Sequence, residues 1–130
     1  MPDPVLSDAG RVLASLRGRR VLVAEDEYLL AQDLREELER RGAEVLGPVP
    51  SVAEGLELLR AGPAPSLAIL DISLRGEMVY PLADALRARN IPFIFATGYD
   101  AQAIPPAYAD VPRAEKPLEI ELMGPPPPGG

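Results

Sequence analysis

Two short apolar runs, Val21-Leu22-Val23-Ala24 and Leu67-Ala68-Ile69-Leu70, each stop abruptly at carboxylates: Glu25-Asp26-Glu27 and Asp71. Four apolar residues in a row, bounded by polar turns, read as a strand buried on both faces inside a parallel sheet. The residue just past such a strand stands at the sheet's carboxyl edge, where open α/β folds take their ligands. Singly, each acid also has an ordinary explanation. Asp71 can cap the next helix or begin a turn, and Asp26 can be an N-cap.

The segments between the runs carry a helical period. Leu30, Leu34 and Leu38 recur on one face up to about Arg41, with Gly42 as the stop. Residues 43–49 read as a strand near a sheet edge, because Pro48 cannot donate to a ladder. Ser51-Val52-Ala53-Glu54 is a capping box that opens a helix with Val52, Leu56 and Leu59 inward, ended by Gly62-Pro63. A further helix is expected over 79–89, with Pro81 in its first turn and Val79, Leu82 and Leu86 on its buried face. Residues 91–96 form a fourth strand and 111–115 a weak fifth. Between them Pro105-Pro106 interrupts any long helix over 100–110.

Strands alternating with helices imply an α/β fold with right-handed crossovers. The expected form is a flavodoxin-like doubly wound five-stranded parallel sheet of order 2-1-3-4-5. An extra N-terminal helix, with Leu6, Ala9, Leu13 and Leu16 on one face, lies within an extension over 1–18. The main domain spans 19–123 and ends in a shortened fifth helix, and 124–130 form a Pro/Gly-rich tail.

Composition narrows the chemistry. The chain has no cysteine and no histidine, so thiol catalysis, imidazole or thiolate metal sites and serine–histidine triads are excluded. A metal ion here must be held by oxygen, which favours magnesium, calcium or manganese. A formal charge of −7 argues against unspecific binding to nucleic acid or anionic membranes. No apolar run approaches the roughly 20 residues that span a bilayer, and no signal-peptide order opens the chain, so a cytoplasmic location is expected.

In the 2-1-3-4-5 order the strand ends meet: Glu25 and Asp26, Asp71, Thr97-Gly98, and Lys116-Pro117. Three carboxylates in one crevice repel one another unless a cation or protons intervene, and magnesium suits that demand. Aspartate is also a nucleophile for phosphoryl groups, whose spreading charge needs a metal ion, a cation and a hydroxyl or amide donor. Lys116 and Thr97 supply the last two.

These motifs, over about residues 20–123, resemble the receiver domain of two-component response regulators. The resemblance implies Asp71 as phosphoacceptor and Mg2+ held by Glu25, Asp26, Asp71 and the Ser73 backbone carbonyl. It also implies contacts of Thr97 and Lys116 with the phosphoryl group, and a cis Lys116–Pro117 peptide. Pro92-Phe93-Ile94-Phe95-Ala96-Thr97-Gly98-Tyr99 is similar to the FATGY-type receivers, often single-domain proteins of alphaproteobacteria that work with sensor histidine kinases of the HWE and related classes. That narrower likeness implies a histidine-kinase partner. A downstream regulator protein is a further expected partner; no DNA-reading motif appears, and neither direct DNA binding nor membrane binding is expected.

Two positions depart from the wider family. Arg113 stands where most receivers place an aromatic switch residue, three before the lysine. The likeness to the FATGY-type receivers implies that Tyr99 takes over as the switch; read from the residue alone, it is equally an aromatic covering the core edge. The short last helix leaves apolar surface beside strand five, which the segment 7–17 is expected to cover in this chain or in a dimer partner. No output domain is expected to follow, and residues 100–110 are expected to be the mobile, responsive region. Two rival readings are a pseudo-receiver that is never phosphorylated and a Mg-dependent phosphatase. The latter typically carries a second aspartate two residues after its nucleophile, where this chain has Ser73.

Overall fold

The computed structural model describes residues 16–97 and 104–115. Its main sheet has five parallel strands in the order β2-β1-β3-β6-β7, formed by β1 (Arg20–Ala24), β2 (Glu44–Val49), β3 (Leu67–Asp71), β6 (Phe93–Thr97) and β7 (Arg113–Glu115). Counted along the chain, these five strands follow the expected 2-1-3-4-5 order. Among the described residues the helices are α1 (Tyr28–Arg40), α2 (Val52–Ala61) and α3 (Tyr80–Ala88), with a 3-10 turn at Pro106–Tyr108. The expected N-terminal helix over 7–15, the fifth helix, the Lys116–Pro117 peptide and the tail lie outside the described residues.

Strand periodicity sorts the core into two layers. Leu22, Ala24, Ala68, Leu70, Phe93 and Phe95 face one way and pack with Val52 and Leu59 of α2 and Leu82, Ala83 and Leu86 of α3. Val21, Val23, Leu67, Ile69, Ile94 and Ala96 face the other way and pack with Leu38 of α1, Ala114 of β7 and the fully buried Leu16. The central strands are apolar on both faces because helices cover both. β2, at the edge, is only partly buried.

The helices follow their sequence signals closely. The Ser51 hydroxyl accepts the Glu54 N–H (3.2 Å) and donates to the Glu54 carboxylate (3.0 Å), satisfying an otherwise orphaned first-turn donor. In α3, Val79 is the cap and Pro81 falls in the first turn. α1 departs at its start. Leu30 is only partly buried, Tyr28 and Leu29 are 76% and 67% exposed, and the residues fully under cover are Ala31 and Leu38.

One feature had no counterpart in the sequence reading. Between β3 and α3 the chain forms a small antiparallel hairpin, β4 (Ser73–Leu74) with β5 (Glu77–Met78). Its two-residue turn has positive φ at both Arg75 (51°) and Gly76 (80°), as a type I′ turn requires. Sequence showed only a polar turn there, because two-residue strands are too short for a period-2 pattern to register.

Candidate functional site

Register brings the acids together. Ala24 of β1 pairs with Leu70 of β3, so Glu25 and Asp71 emerge level at one edge. β2 contributes through an irregularity. Gly47 and Pro48 together oppose Val23, a bulge between the Leu22–Leu46 and Ala24–Val49 pairs. Gly47 has φ +91°, and a Cβ there would lie 2.7 Å from the Val49 nitrogen and 3.0 Å from the Val23 carbonyl, so only glycine fits. Past the bulge, the Val49 carbonyl accepts the Glu25 N–H at 3.0 Å and fixes the start of the acidic loop.

Glu25, Asp26 and Asp71 each offer a carboxylate oxygen, and the three oxygens lie within 4.8 Å of one another. Glu25 is 7% exposed, Asp71 intermediate and Asp26 exposed. Backbone donors meet all three: Glu27 N–H to Glu25 (3.0 Å), Arg75 N–H to Asp26 (2.8 Å) and a longer Ser73 N–H to Asp71 (3.4 Å). A carboxylate has about four acceptor positions, so one backbone bond takes up only part of its capacity. The set is all oxygen and triply anionic, which suits a hard divalent ion such as magnesium.

Ser73 has its backbone at this edge. In the hairpin Leu74 and Glu77 flank the turn, and the Val79 N–H bonds to the Ile72 carbonyl (2.8 Å). Antiparallel pairs alternate, so the intervening Ser73–Met78 pair makes no ladder bonds and the Ser73 carbonyl is not spent within the hairpin. The Thr97 backbone closes β6, one residue past Ala96, the partner of Asp71, and pairs with Glu115. The Thr97 side chain, Tyr99 and Lys116 lie outside the described residues.

A second group of side chains, not singled out from sequence, ties residues 104–110 to α3. The Tyr108 hydroxyl donates to Asp84 (2.6 Å), and its ring stacks on Tyr80 at 4.5 Å. Both rings meet Phe95 edge-on at 6.2 Å. Arg87 lies over the Tyr108 ring (5.2 Å) while donating to the Ala107 carbonyl (2.9 Å) and Asp110 (2.7 Å). The hydrogen bond to Asp84, then burial, raise the Tyr108 pKa above the ordinary tyrosine value, and burial raises that of Tyr80. Arg113, at the position of the usual aromatic switch, reaches the Ala109 carbonyl at 3.3 Å. A Tyr at 80 and an Arg at 87, seven apart on the helix with Asp84 between, were the available signal, but they needed a partner that only the fold supplies.

An open parallel sheet of this order, with acids from its first and third strands gathered at the carboxyl edge, defines a flavodoxin-like domain with an acidic cluster at that edge. The chain belongs to the receiver domains of two-component response regulators. SdrG from Sphingomonas melonis Fr1 is 38% identical, and its solution structure matches with a TM-score of 0.71 over 82% of this chain and 88% of that one. The BeF3-activated conformation of SdrG, described for Pseudomonas melonis Fr1, matches at 0.67 over 78% and 86%. The phyllosphere-induced regulator PhyR of Methylorubrum extorquens is 31% identical over 97 residues, 73% of this chain and 36% of that protein. The chain spans 35% to 40% of the length of the curated relatives it matches. No family model matches. The likeness to SdrG fits the FATGY-type resemblance of residues 92–99. Among the described residues, no helix is long and apolar enough to cross a membrane.

Proposed function

We propose that this chain accepts a phosphoryl group on Asp71 from the phosphohistidine of a sensor histidine kinase, in a Mg2+-dependent reaction. It then signals through protein contacts, phosphoryl competition or relay. The observation that carries this reading is the convergence of Glu25, Asp26 and Asp71 within 4.8 Å in a receiver fold. Asp71 is the partly exposed member of the trio on β3, so it is accessible to a donor while Glu25 stays beneath it.

Glu25, Asp26, Asp71 and the Ser73 carbonyl would hold the cation, which when bound supplies positive charge against the carboxylates and the phosphoryl oxygens. An Asp71 carboxylate oxygen attacks phosphorus. The O–P bond forms, the N–P bond to the donor imidazole breaks, and the released imidazole takes a proton from solvent. Thr97 and Lys116 are assigned to the phosphoryl oxygens on their motif positions, and Tyr99 to the switch, with Arg113 replacing the strand-five aromatic. The kinase class suggested by the FATGY-type residues is HWE or a related one, acting in the cytoplasm. A downstream regulator protein is the natural recipient of the signal.

The chain acts in this reading as a phosphoacceptor and not as a phosphatase. The acid–base aspartate of such enzymes is replaced by Ser73, whose amide is turned to Asp71. Mg2+ with beryllofluoride tests the site directly. The melting temperature of the wild type rises when both are added, and that of Asp71→Asn does not. A rise retained in Asp71→Asn, or absent from the wild type, overturns the proposal.

A further inference from the structure

The hairpin between β3 and α3 contacts two of the three acids. Its Ser73 N–H faces Asp71 and its turn residue Arg75 donates to Asp26 from 49 positions away, at 2.8 Å. Both bonds come from backbone amides, so their geometry is set by the hairpin's conformation. That conformation is anchored on one side and demanding on the other. Ile72, Leu74 and Val79 are buried in the α2–α3 layer, which fixes the hairpin's base. The tip is exposed, and its turn needs left-handed backbone at Arg75 and Gly76.

We infer that this hairpin is a positioning device for the cation site, with the Arg75 amide holding the Asp26 carboxylate toward Glu25 and Asp71. Three acids crowded within 4.8 Å repel one another, and for Asp26, the exposed one, that repulsion favours outward rotation about its side-chain bonds. An amide bonded to one of its oxygens opposes that rotation and occupies only one of the carboxylate's acceptor positions. The device acts through the main chain, so the side chain of Arg75 is dispensable and the left-handed turn is not. The inference rests on the proposed cation site and adds a residue that does not itself touch the ion.

Two substitutions separate the backbone from the side chain. A Cβ at Gly76 meets nothing within 4 Å, so Gly76→Val perturbs the turn through φ alone. Arg75→Gly retains the N–H, suits a positive φ better than arginine, and removes only the guanidinium. Mg2+ is titrated into the full chain and followed by amide NMR, which gives the affinity and reports whether the residue-75 N–H remains hydrogen-bonded in the cation-free protein. Gly76→Val is expected to lose the protected residue-75 amide and to bind Mg2+ about tenfold more weakly, the value of one charge-assisted hydrogen bond. Arg75→Gly should keep both within about twofold.

A general loss of fold in Gly76→Val is visible in the same spectra through the core amides of β1 and β3. Should it occur, Gly76→Asn, which tolerates left-handed backbone, is the rescue variant expected to restore affinity. Unchanged or tighter Mg2+ binding when the residue-75 amide is released overturns the inference. So does equal weakening by Arg75→Gly, which would assign the effect to the side chain. Absence of Mg2+ binding by the wild type overturns the cation site itself, a different and separately readable outcome.

Discussion

Asp26 is the most exposed of the three acids, and its environment makes a sharp demand on it. One of its oxygens lies within 4.8 Å of ligand atoms on Glu25 and Asp71, and its Oδ2 accepts the Arg75 amide. Asp26→Asn preserves an acceptor for that amide and removes one charge from the cluster. The cation-free protein should gain about 1 kcal/mol, the interaction of unit charges a few ångströms apart at the dielectric of water, to which Asp26 is exposed. The same variant should lose the stabilisation that Mg2+ gives the wild type. Melting curves in EDTA and in Mg2+ read both effects, and a lower melting temperature in EDTA would contradict the repulsion account. At this scale the sequence was readable where a side chain carried the chemistry. Glu25, Asp26 and Asp71 stand at the ends of apolar runs, and a carboxylate ending a buried strand can go only to the sheet edge. The Arg75 contribution was hidden, because a backbone amide has no residue signature and its direction depends on the φ of two turn residues.

Residues 104–110 show what elements add. In the sequence, Pro105-Pro106 interrupts any long helix, and 100–110 is the segment expected to be mobile and responsive. In the structure its described part is docked on α3 through Tyr108, Ala107 and Asp110, with Arg113 reaching in from β7. Tyr108→Phe keeps the stack on Tyr80 and deletes the hydroxyl bond to Asp84, a loss of about 1–2 kcal/mol measured by urea unfolding at neutral pH. The pH dependence follows from the raised Tyr108 pKa. A tyrosine whose folded pKa lies above its unfolded value of about 10 contributes its full stability below that pH and loses it as pH climbs through the folded value. Wild-type stability therefore falls in the alkaline range above pH 10, and Tyr108→Phe falls less steeply there. An equal slope in both proteins would contradict the link. The segment was opaque in the sequence because aromatic stacking between Tyr80 and Tyr108 spans 28 positions. Neither position shows a periodic pattern that marks the other.

Across the whole molecule the alternation of strands and helices was legible throughout. The short apolar runs had one consistent arrangement, and the observed order β2-β1-β3-β6-β7 is that arrangement with a hairpin added. Leu16 shows how the chain ahead of β1 joins the core. It is fully buried in the layer that runs from Leu38 of α1 to Ala114 of β7. Residues 7–15, most of the segment expected to cover the apolar surface beside strand five, lie outside the described residues. Leu16→Ala should cost about 2–5 kcal/mol, the range for a truncated core leucine, and a smaller loss would mean that this face collapses around the gap. The central claim joins the scales: a sheet places three acids together, and one of them takes a phosphoryl group. Incubation with acetyl phosphate and Mg2+, followed by intact mass, tests it most directly. The account predicts one added phosphoryl group on the wild type, none without Mg2+, and none on Asp71→Asn. A phosphoryl group retained on Asp71→Asn, or none on the wild type even with its cognate kinase, would contradict it.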